Sequence, residues 1–578
     1  MPPIATEKTK AESTHAEGGR AIASPCRIIP VAPGRDLAVG PAGSFLLAAS
    51  ESRVLRAYLR LNGEPESPDG DTAEAIGALG RKGLLVHESQ ILSRIREHAR
   101  RADAATIASA GVITRDRPKP LAACVSSLID NSAAYGRPLE IVVVDASRDF
   151  AVRRANVAAL RGLSPLAEIR YCGPRERAAF KNAMLAQGVD GSALEILERA
   201  CVAPGSFGAS RNALMLDLAG EAFLSADDDT VASPIVHPSH KGHIRLVGGQ
   251  SPFDIWFFED RRAAFQWAPR GALDIVGQHE SLLGRGLSEI LSDAGVRVDV
   301  KKICPHFAAA GWNARVIGTM AGRVGDSGRI DPSWDMLYAP WVVGRAAYGR
   351  LEVAELPESP AVVHEVGCMT MMFGLDLRNI LPPFYPWHGG EDWLFSNLLG
   401  RLMPDACWGV VPHGIIHDRP PRSPESPVTF PHSADLVLAV LLSLPARRQG
   451  RSDAEAIFDT GVELAGMARL TENEIRQSVV ARLGEILASR LAALRERIGS
   501  ASSPEKRTAL AGVHERLLDD FERLCGEDTG SAVVRLKWET LRDEILAYAS
   551  LLQCWPAMFE AARELRRKGI RMSTNLTV

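Results

Sequence analysis

Residues 139–147 read LEIVVVDAS, and this stretch decides the fold of the central part of the chain. Its β-branched run without alternation is typical of a strand that is buried on both faces of a parallel sheet. Upstream, ASAGVITRDRP (108–118) predicts a strand that ends in a polar loop, and a helical apolar pattern with Leu121 and Leu128 follows. Strand, helix and strand form a βαβ unit, whose ligands lie at the carboxyl ends of the strands. Asp145 stands at such an end.

Two further segments extend this α/β pattern. AEIRYCG (167–173) predicts a short strand, and residues 205–230 predict a loop, a helix and another strand. That strand ends in three consecutive carboxylates, Asp227, Asp228 and Asp229. Adjacent like charges repel and are costly to desolvate, so either water or a cation is expected to reach them.

The ends of the chain have a different character. Residues 1–20 lack periodicity and predict a disordered tail, whereas 21–105 predict a small helical or winged-helix-like accessory module. In that module Leu47 and Leu55 suit one helix, and residues around Leu79 suit a second helix that runs into a strand. A plain structural or docking role and the binding of a leader peptide are both open for this module.

The C-terminal part predicts helices. A Pro/Ser-rich linker (421–433) precedes a helical domain (434–578). Thr471 and Glu474 form a capping box in the sequence, and an apolar stripe follows over 475–498. We expect a bundle that packs on itself or on the central domain, and binding of a partner is the alternative.

Composition restricts the class of protein. Lys and Arg total 67 against 70 Asp and Glu, which argues against a nucleic-acid partner held by bulk positive charge. The nine cysteines are scattered without a CxxC pair, as in a reduced intracellular protein. The N-terminal residues lack the apolar core of a signal peptide, and no apolar stretch is long enough to span a membrane. A cytoplasmic location is therefore expected.

The order of motifs carries a resemblance. VITRDRP, VVVD, GSFGASRN, LSADDD, GED and a late His follow one another in the chain. This order resembles the family 2 glycosyltransferases, inverting enzymes that use nucleotide sugars. The resemblance implies an open, mostly parallel, Rossmann-like sheet of the glycosyltransferase A type. It covers 106–420, with a nucleotide-sugar-binding half (106–235) and an acceptor-binding half with a long insertion (236–420).

The resemblance also implies roles for particular residues. Asp392 in GED would be the catalytic base, and Glu391 would orient it or hold the acceptor. Asp229, Asp227 and His417 would hold Mn²⁺ or Mg²⁺. The nucleotide sugar would be bound by Thr114, Arg115, Asp145, Arg211, Asn212, Asp227 and Asp228.

Each role has a structural alternative. Asp145 could cap a helix, Arg211 could form a surface ion pair, and the triplet could be a solvated acidic turn. Glu391 and Asp392 could be helix N-terminal acids stabilised by the dipole, with His388 the next candidate for the base. His413 competes with His417 for the metal. The histidines of HPSHKGH (237–243) do not predict zinc, because no cysteine lies nearby and Pro and Gly interrupt any helix.

The resulting hypothesis is a metal-dependent, inverting glycosyltransferase of the hexosyltransferase type. UDP- or GDP-linked sugars are the favoured donors, and a peptide, a protein or a glycan is the acceptor. One rival is an inactive glycosyltransferase-like scaffold, although Asp145, Asp229 and Asp392 speak against it. The other is a nucleotidyltransferase, which would need a Gly-rich loop and a Lys that TRDRPKP does not offer. The oligomeric state stays open.

Overall fold

The computed structural model describes most of the chain, which divides into two compact units. One unit spans 1–98 with 305–309, and the other spans 99–304 with 310–578. The described residues are 21–23, 27–40, 43–59, 70–87, 90, 93, 104–203, 205, 207–247, 252–258, 260–293, 314–326, 352–363, 369–387, 389–419, 433–444, 450–499, 501, 504–525 and 538–576.

The first unit combines a small sheet with two helices. Its elements are β1 (Ala21–Ala23), β2 (Arg27–Ala32), β3 (Arg35–Gly40), β4 (Gly43–Ala48), α1 (Ala49–Leu59), α2 (Gly70–Arg81) and β5 (Leu85–His87). Strands β2, β3 and β4 form an antiparallel sheet in that order, and β1 pairs with β5. Ala38 and Leu47 pack from the sheet against Leu55 and Leu79 of the helices.

The strands of this unit correct one prediction. Leu47 was expected in a helix, but it lies in β4, because the chain turns back at Gly43 (φ +121°), a conformation that favours glycine. The second helix does run into a strand, as predicted. The sheet register aligns Ile29, Leu37 and Leu46 in one row, on the face opposite to the buried one. Ile29 and Leu46 of that row are exposed.

The second unit is built on a large mixed sheet, and the predicted α/β class is confirmed. Strands β6, β7, β8 and β9 run parallel in the order β8-β7-β6-β9. The chain therefore moves outward from β6 to β8 and then returns to the other side of β6, which creates a switch point between β6 and β9. The elements of this half are β6 (Ile107–Thr114), α3 (Pro118–Ala134), β7 (Glu140–Asp145), α4 (Phe150–Leu163), β8 (Ile169–Cys172), α5 (Pro174–Ala186), α6 (Gly191–Val202), α7 (Phe207–Asp217) and β9 (Ala222–Asp227).

Beyond β9 the sheet continues with mixed directions. Strand β16 is antiparallel to β9 and to β13, and β13 is parallel to β17. Strands β15 and β11 extend the order beyond β17, while β10 pairs with β17 and β12 reaches β13 through β14. The elements of this half are β10 (Thr230–Ile235), β11 (Arg245–Val247), β12 (Asp254–Phe258), α8 (Arg261–Trp267), α9 (Ile275–Glu280), α10 (Leu287–Ser292), β13 (Arg315–Asp326), β14 (Glu352–Leu356), β15 (Ala361–Val363), β16 (Met372–Asp376), α11 (Glu391–Leu402) and β17 (Ala406–His417).

The C-terminal helices belong to the same compact unit as the sheet. They are α12 (Ser433–Ser443), α13 (Asp453–Met467), α14 (Glu472–Gly499), α15 (Pro504–Cys525) and α16 (Trp538–Arg567). The predicted capping box is present, because Thr471 and Glu474 bond reciprocally, and the predicted stripe on α14 is buried. None of the described helices combines the length and the hydropathy that crossing a membrane requires.

Helix α16 joins the helices to the sheet. Trp555 Nε1 donates to Leu381 O at 2.7 Å, and Tyr548 OH donates to Pro383 O at 3.0 Å. Tyr385 OH donates in turn to Glu544 at 2.6 Å. The carbonyls lie on the segment that leads into α11, so the helices hold this segment in place.

The chain then closes one edge of the sheet with β18 (Thr574–Asn575), which pairs antiparallel with β8. Just before it, Arg571 donates to both Glu140 and Asp217. The fully buried Asp217 also accepts from the amide and the hydroxyl of Ser573, each at 2.8 Å. The edge of β8 is thus covered rather than left open to pair with other chains.

Candidate functional site

Several strand ends meet at one edge of the large sheet. The β6–β7 register pairs Thr114 with Asp145, and the β6–β9 register brings Asp227 to the same level. Thr230, directly after the triplet, pairs with His417 at the end of β17. This edge contains the switch point between β6 and β9, which is where open α/β sheets bind their ligands.

Arg117 connects the end of β6 to the triplet. Its Nη1 donates to Asp228 Oδ1 and to Asp229 Oδ2, each at 2.8 Å. Thr114 Oγ1 donates to the other oxygen of Asp228 at 2.7 Å. Both aspartates are buried, so these bonds compensate the loss of water around adjacent carboxylates.

Arg211 lies between the two acidic motifs. Its guanidinium donates to Asp227 Oδ1 and to Glu391 Oε1, each at 2.7 Å, and the side chain is only 2% exposed. The rings of Phe373 and Phe384 lie 5.9 Å from this cation. Arg211 is therefore a buried bridge rather than a surface ion pair, and it fixes the triplet relative to α11.

Asp229 is held from the side of β17. Arg419 Nε donates to its Oδ2 at 2.7 Å, and His417 Nε2 lies 3.4 Å from its Oδ1. The other ring nitrogen of His417 lies 2.7 Å from the carbonyl oxygen of Asp326. The predicted late His is thus placed beside the triplet.

The three aspartates have different electrostatic environments. Burial raises the pKa of Asp228 to about 6, although Arg117 and Thr114 oppose this shift. Burial also raises the pKa of Asp227, against the charge of Arg211. Burial acts in the same direction on Asp229, but His417 and the neighbouring arginines outweigh it and hold the pKa of that carboxyl well below its usual range.

Asp145 lies at the same edge, but its carboxylate is engaged internally. It accepts from the amide of Ser147, from Asn156 Nδ2 and from Tyr171 OH, each at 2.8 Å, and it is fully buried. It does not cap the following helix, since Asp149 does so. In this structure Asp145 fixes the loop after β7. The predicted contact with a nucleotide base would require Asp145 to give up at least one of these three hydrogen bonds.

The loop after β6 is strained. Asp116 has φ +58°, the one positive value at a non-glycine position among the described residues, and its amide donates to Ser147 Oγ. Arg115 turns to the carbonyl of Ala203, so it does not contact the triplet. Strain of this kind is often found at functional sites. Arg117, two residues later, is the arginine of this loop that contacts the triplet, and the nucleotide contact of Arg115 stays a prediction.

Asn212 is a structural link. Its amide exchanges two 2.8 Å hydrogen bonds with the backbone of Phe384. Nearby, a Cβ on Gly208 would lie 1.9 Å from Tyr385 O, so α7 approaches this segment more closely than any other residue allows. Asn212 therefore positions the chain before α11, and its predicted contact with a nucleotide sugar stays a prediction.

Glu391 and Asp392 begin α11 after Gly390, which has φ +88°. Glu391 is buried, and burial raises its pKa to about 8, opposed by Arg211 and supported by Asp392. Asp392 is partly exposed, and its Oδ1 accepts from the amide of Trp393. The pair therefore divides into one carboxyl tied to Arg211 and one that solvent reaches. The rival base, His388, lies outside the described residues.

The other histidines lie elsewhere. His413 is fully buried beside His279, with ring centroids 6.0 Å apart, and neither of its ring nitrogens has a hydrogen-bond partner in the described part of the chain. His237, in the HPSHKGH stretch, stacks edge-on against Trp267. Among the described residues, no group of three His, Cys, Asp or Glu side chains could hold a metal ion.

The arrangement of the triplet does not fit a resident Mn²⁺ or Mg²⁺. Five of its six carboxylate oxygens already contact Thr114, Arg117, Arg211, His417 or Arg419. A divalent cation needs several oxygen ligands that are open to it. The predicted ligands Asp227, Asp229 and His417 do come together, but guanidinium groups occupy the positions around them.

Sequence reasoning missed two residues of this site, Arg117 and Arg419. Arg117 belongs to the motif VITRDRP, Arg419 follows His417 by two residues, and each precedes a proline. For Arg117 the available signal was its position directly after a predicted strand end, whereas no strand was predicted before Arg419. The chain matches no known family model, and no curated protein and no solved structure shows significant similarity to it.

Proposed function

We propose that the protein is an inverting glycosyltransferase that moves a sugar from a nucleoside diphosphate to a hydroxyl-bearing acceptor. The observation that carries this proposal is the bridge of Arg211 between Asp227 and Glu391. This bridge brings the acidic end of β9, at the switch point, close to the acidic pair Glu391 and Asp392. A glycosyltransferase needs one such group on the donor side of the sugar and another on the acceptor side.

The donor is proposed to lie over the ends of β6 and β9. Side chains that solvent reaches there are Asp227 at 25%, Arg117 at 29% and Arg419 at 22% exposure. Carboxylate oxygens accept hydrogen bonds from ribose or sugar hydroxyls, and guanidinium groups donate to phosphate oxygens. The exposed part of the site therefore offers both kinds of partner that a nucleotide sugar requires.

Asp392 is proposed as the base on the acceptor side. As the acceptor oxygen forms its bond to C1 of the sugar, the bond from C1 to the phosphate oxygen breaks and its electron pair leaves with the nucleoside diphosphate. The proton of the acceptor hydroxyl passes to Asp392. A carboxylate that solvent reaches can release that proton afterwards, whereas Glu391 is committed to Arg211.

The resemblance to family 2 glycosyltransferases and the A-type fold remain part of this proposal. The parallel order β8-β7-β6-β9 and the meeting of the predicted motifs support it. A peptide or protein and a glycan are both acceptors that carry a suitable hydroxyl. The donor nucleotide is proposed to be UDP or GDP, and the sugar a hexose.

The test is a donor assay on the full chain. UDP- and GDP-linked hexoses are incubated with the protein, with and without Mn²⁺, and release of nucleoside diphosphate is measured. We expect slow hydrolysis of one donor class, and a raised melting temperature with its diphosphate because ligands stabilise the folded state by mass action. Neither release nor stabilisation with any nucleotide would favour the scaffold, and release of pyrophosphate from a nucleoside triphosphate would favour a nucleotidyltransferase.

A further inference from the structure

Two guanidinium groups converge on one carboxylate oxygen at the strand ends. Arg117 Nη1 lies 2.8 Å and Arg419 Nε lies 2.7 Å from Asp229 Oδ2. Arg117 follows β6 and Arg419 follows β17, so separate parts of the chain bring these cations together. Two guanidinium groups that share one carboxylate oxygen repel each other, and they stay together only where anionic groups attract both.

The cations and the anions of this cluster lie at different depths. The side chains of Arg117 and Arg419 are 29% and 22% exposed, whereas those of Asp228 and Asp229 are 6% and 2% exposed. The carboxylates therefore form the buried floor, and the guanidinium groups lie between them and solvent. A ligand that approaches from solvent meets these two cations and, beside them, the carboxylate of Asp227, which is 25% exposed and paired with Arg211. The exposed groups therefore carry more positive than negative charge, which favours an anion over a metal ion.

We propose that Arg117 and Arg419 bind the diphosphate of the donor and neutralise the leaving group in place of a divalent cation. This inference rests on the proposed glycosyl transfer. Each guanidinium carries five N–H donors in a planar fork, so it can keep a carboxylate contact and still donate to phosphate oxygens. The electron pair that stays on the phosphate oxygen when the bond to C1 breaks is stabilised by these donors.

Arg211 has a different role in this scheme. It is 2% exposed and is held by Asp227 and Glu391, so it positions the two acidic motifs without reaching solvent. The diphosphate site is thus assigned to Arg117 and Arg419, which the sequence motifs did not single out.

The first test compares metal-free and metal-loaded protein. UDP and GDP are titrated by calorimetry into the full chain in excess EDTA, and again with excess Mn²⁺. We expect the better ligand to bind with a Kd that differs by less than about threefold between the two conditions. This comparison uses the unaltered protein and does not depend on the folding of a variant.

The second test removes each charge. Arg117→Gln and Arg419→Gln are each expected to weaken binding of the diphosphate about tenfold or more, as loss of charged hydrogen bonds does, and to weaken binding of the nucleoside much less. Arg137→Gln is the matched control, because Arg137 is 31% exposed and also lies between two carboxylates, Asp274 and Glu280, outside the site.

The outcomes separate the two proposals. Binding that EDTA abolishes and Mn²⁺ restores overturns the arginine assignment while leaving glycosyl transfer intact. Unchanged affinity in both folded arginine variants overturns it as well. Absence of nucleotide binding in either buffer overturns the proposed function together with this inference. Circular dichroism establishes the folding of each variant, and if Arg117→Gln does not fold, Arg419→Gln together with the comparison of metal-free and metal-loaded protein decides the outcome.

Discussion

Two arginine–carboxylate clusters lie at the levels of the two ends of strand β7, and they are built differently. At its amino end, Arg571 joins Glu140 and Asp217, which belong to separate elements, and Ser573 supplies further donors. At the level of its carboxyl end, the three aspartates are consecutive, so their charges are crowded however the arginines are placed. In the first cluster, each carboxylate is paired with donors that the fold buries. In the second cluster, the paired arginines, Arg117 and Arg419, lie nearer to solvent.

The difference teaches how to separate a structural cluster from a binding cluster. Opposite charges alone do not distinguish them, because both contain short ion pairs. The depth of the cations does: the side chain of Arg571 is 12% exposed, whereas those of Arg117 and Arg419, above the buried Asp229, are 29% and 22% exposed. Changes at the first cluster should therefore cost more stability than changes at the second, which should chiefly alter binding or rate.

The largest expected effect concerns Asp392, beside the binding cluster. Asp392→Asn keeps the shape of the side chain but removes the proton acceptor, so transfer should fall about 10²- to 10⁴-fold, or roughly 3–5 kcal/mol in the barrier. Initial rates of transfer measure this, and calorimetry should show unchanged donor affinity. Asp130→Asn, at an exposed helix position, is the control. Near-normal turnover would mean that the base lies elsewhere.

The next effect concerns the structural cluster. Asp217→Ala leaves Arg571 and the amide of Ser573 without their buried acceptor, so the free energy of unfolding should fall by about 3–5 kcal/mol. Denaturant titration measures the loss. Glu564→Ala, which removes exposed ion pairs, should cost less than about 1 kcal/mol. Equal losses in the two variants would contradict the distinction between the clusters.

A buried region without ion pairs sharpens the comparison. Burial lowers the pKa of His413 to about 4, and it lowers the pKa of the neighbouring His279 as well. The unfolded chain, with a pKa near 6.5, binds more protons below that pH, so stability is present above 6.5 and is lost as the pH falls to about 4. For His413 this amounts to about 3 kcal/mol.

His413→Leu should remove that share of the acid sensitivity. Unfolding of the variant and of the parent is measured by denaturant at pH 7 and pH 4.5, and the variant should lose less stability between the two. His240→Leu, at an exposed position, should follow the parent. If His413→Leu loses as much unfolding free energy between pH 7 and pH 4.5 as the parent, other groups determine the acid response.

The smallest expected effect is at Thr114. Thr114→Val removes the hydroxyl that donates to Asp228, which should cost about 1 kcal/mol of unfolding free energy. Thr114→Ser keeps the hydroxyl and should cost less. Denaturant titration of both variants measures the difference, and equal costs would show that the bond to Asp228 contributes little.

Local patterns predicted the parallel half of the sheet well. The β-branched run of β7 and the apolar spacing of α3 depend on neighbouring residues, so they can be recognised in the sequence. Strand β13 was not predicted, because its partners β16 and β17 lie far along the chain and pair with it in opposite directions. Pairing over such separations leaves little local signal.

The same distinction applies to the site. Asp227 and Glu391 belong to motifs and were predicted, whereas Arg117 directly follows Asp116, whose positive φ no local pattern indicated. His413 and His417 are both histidines of β17, yet only His417 reaches the triplet. His413 lies within the register shift between Val410 and Gly414 and His417 lies beyond it, and the sequence alone does not show such a shift.

The covered edge of β8 has a consequence for the order of synthesis. Arg170 on β8 bonds to Ser573, which follows it by 403 residues. At about 5–20 residues per second, the ribosome needs roughly 20–80 s to add that length of chain. During that interval β7 and β8 can pair, but the outer edge of β8 has no strand to cover it. The nascent chain therefore exposes the outer edge of β8 throughout that interval, and an uncovered strand edge is a site at which chains associate prematurely.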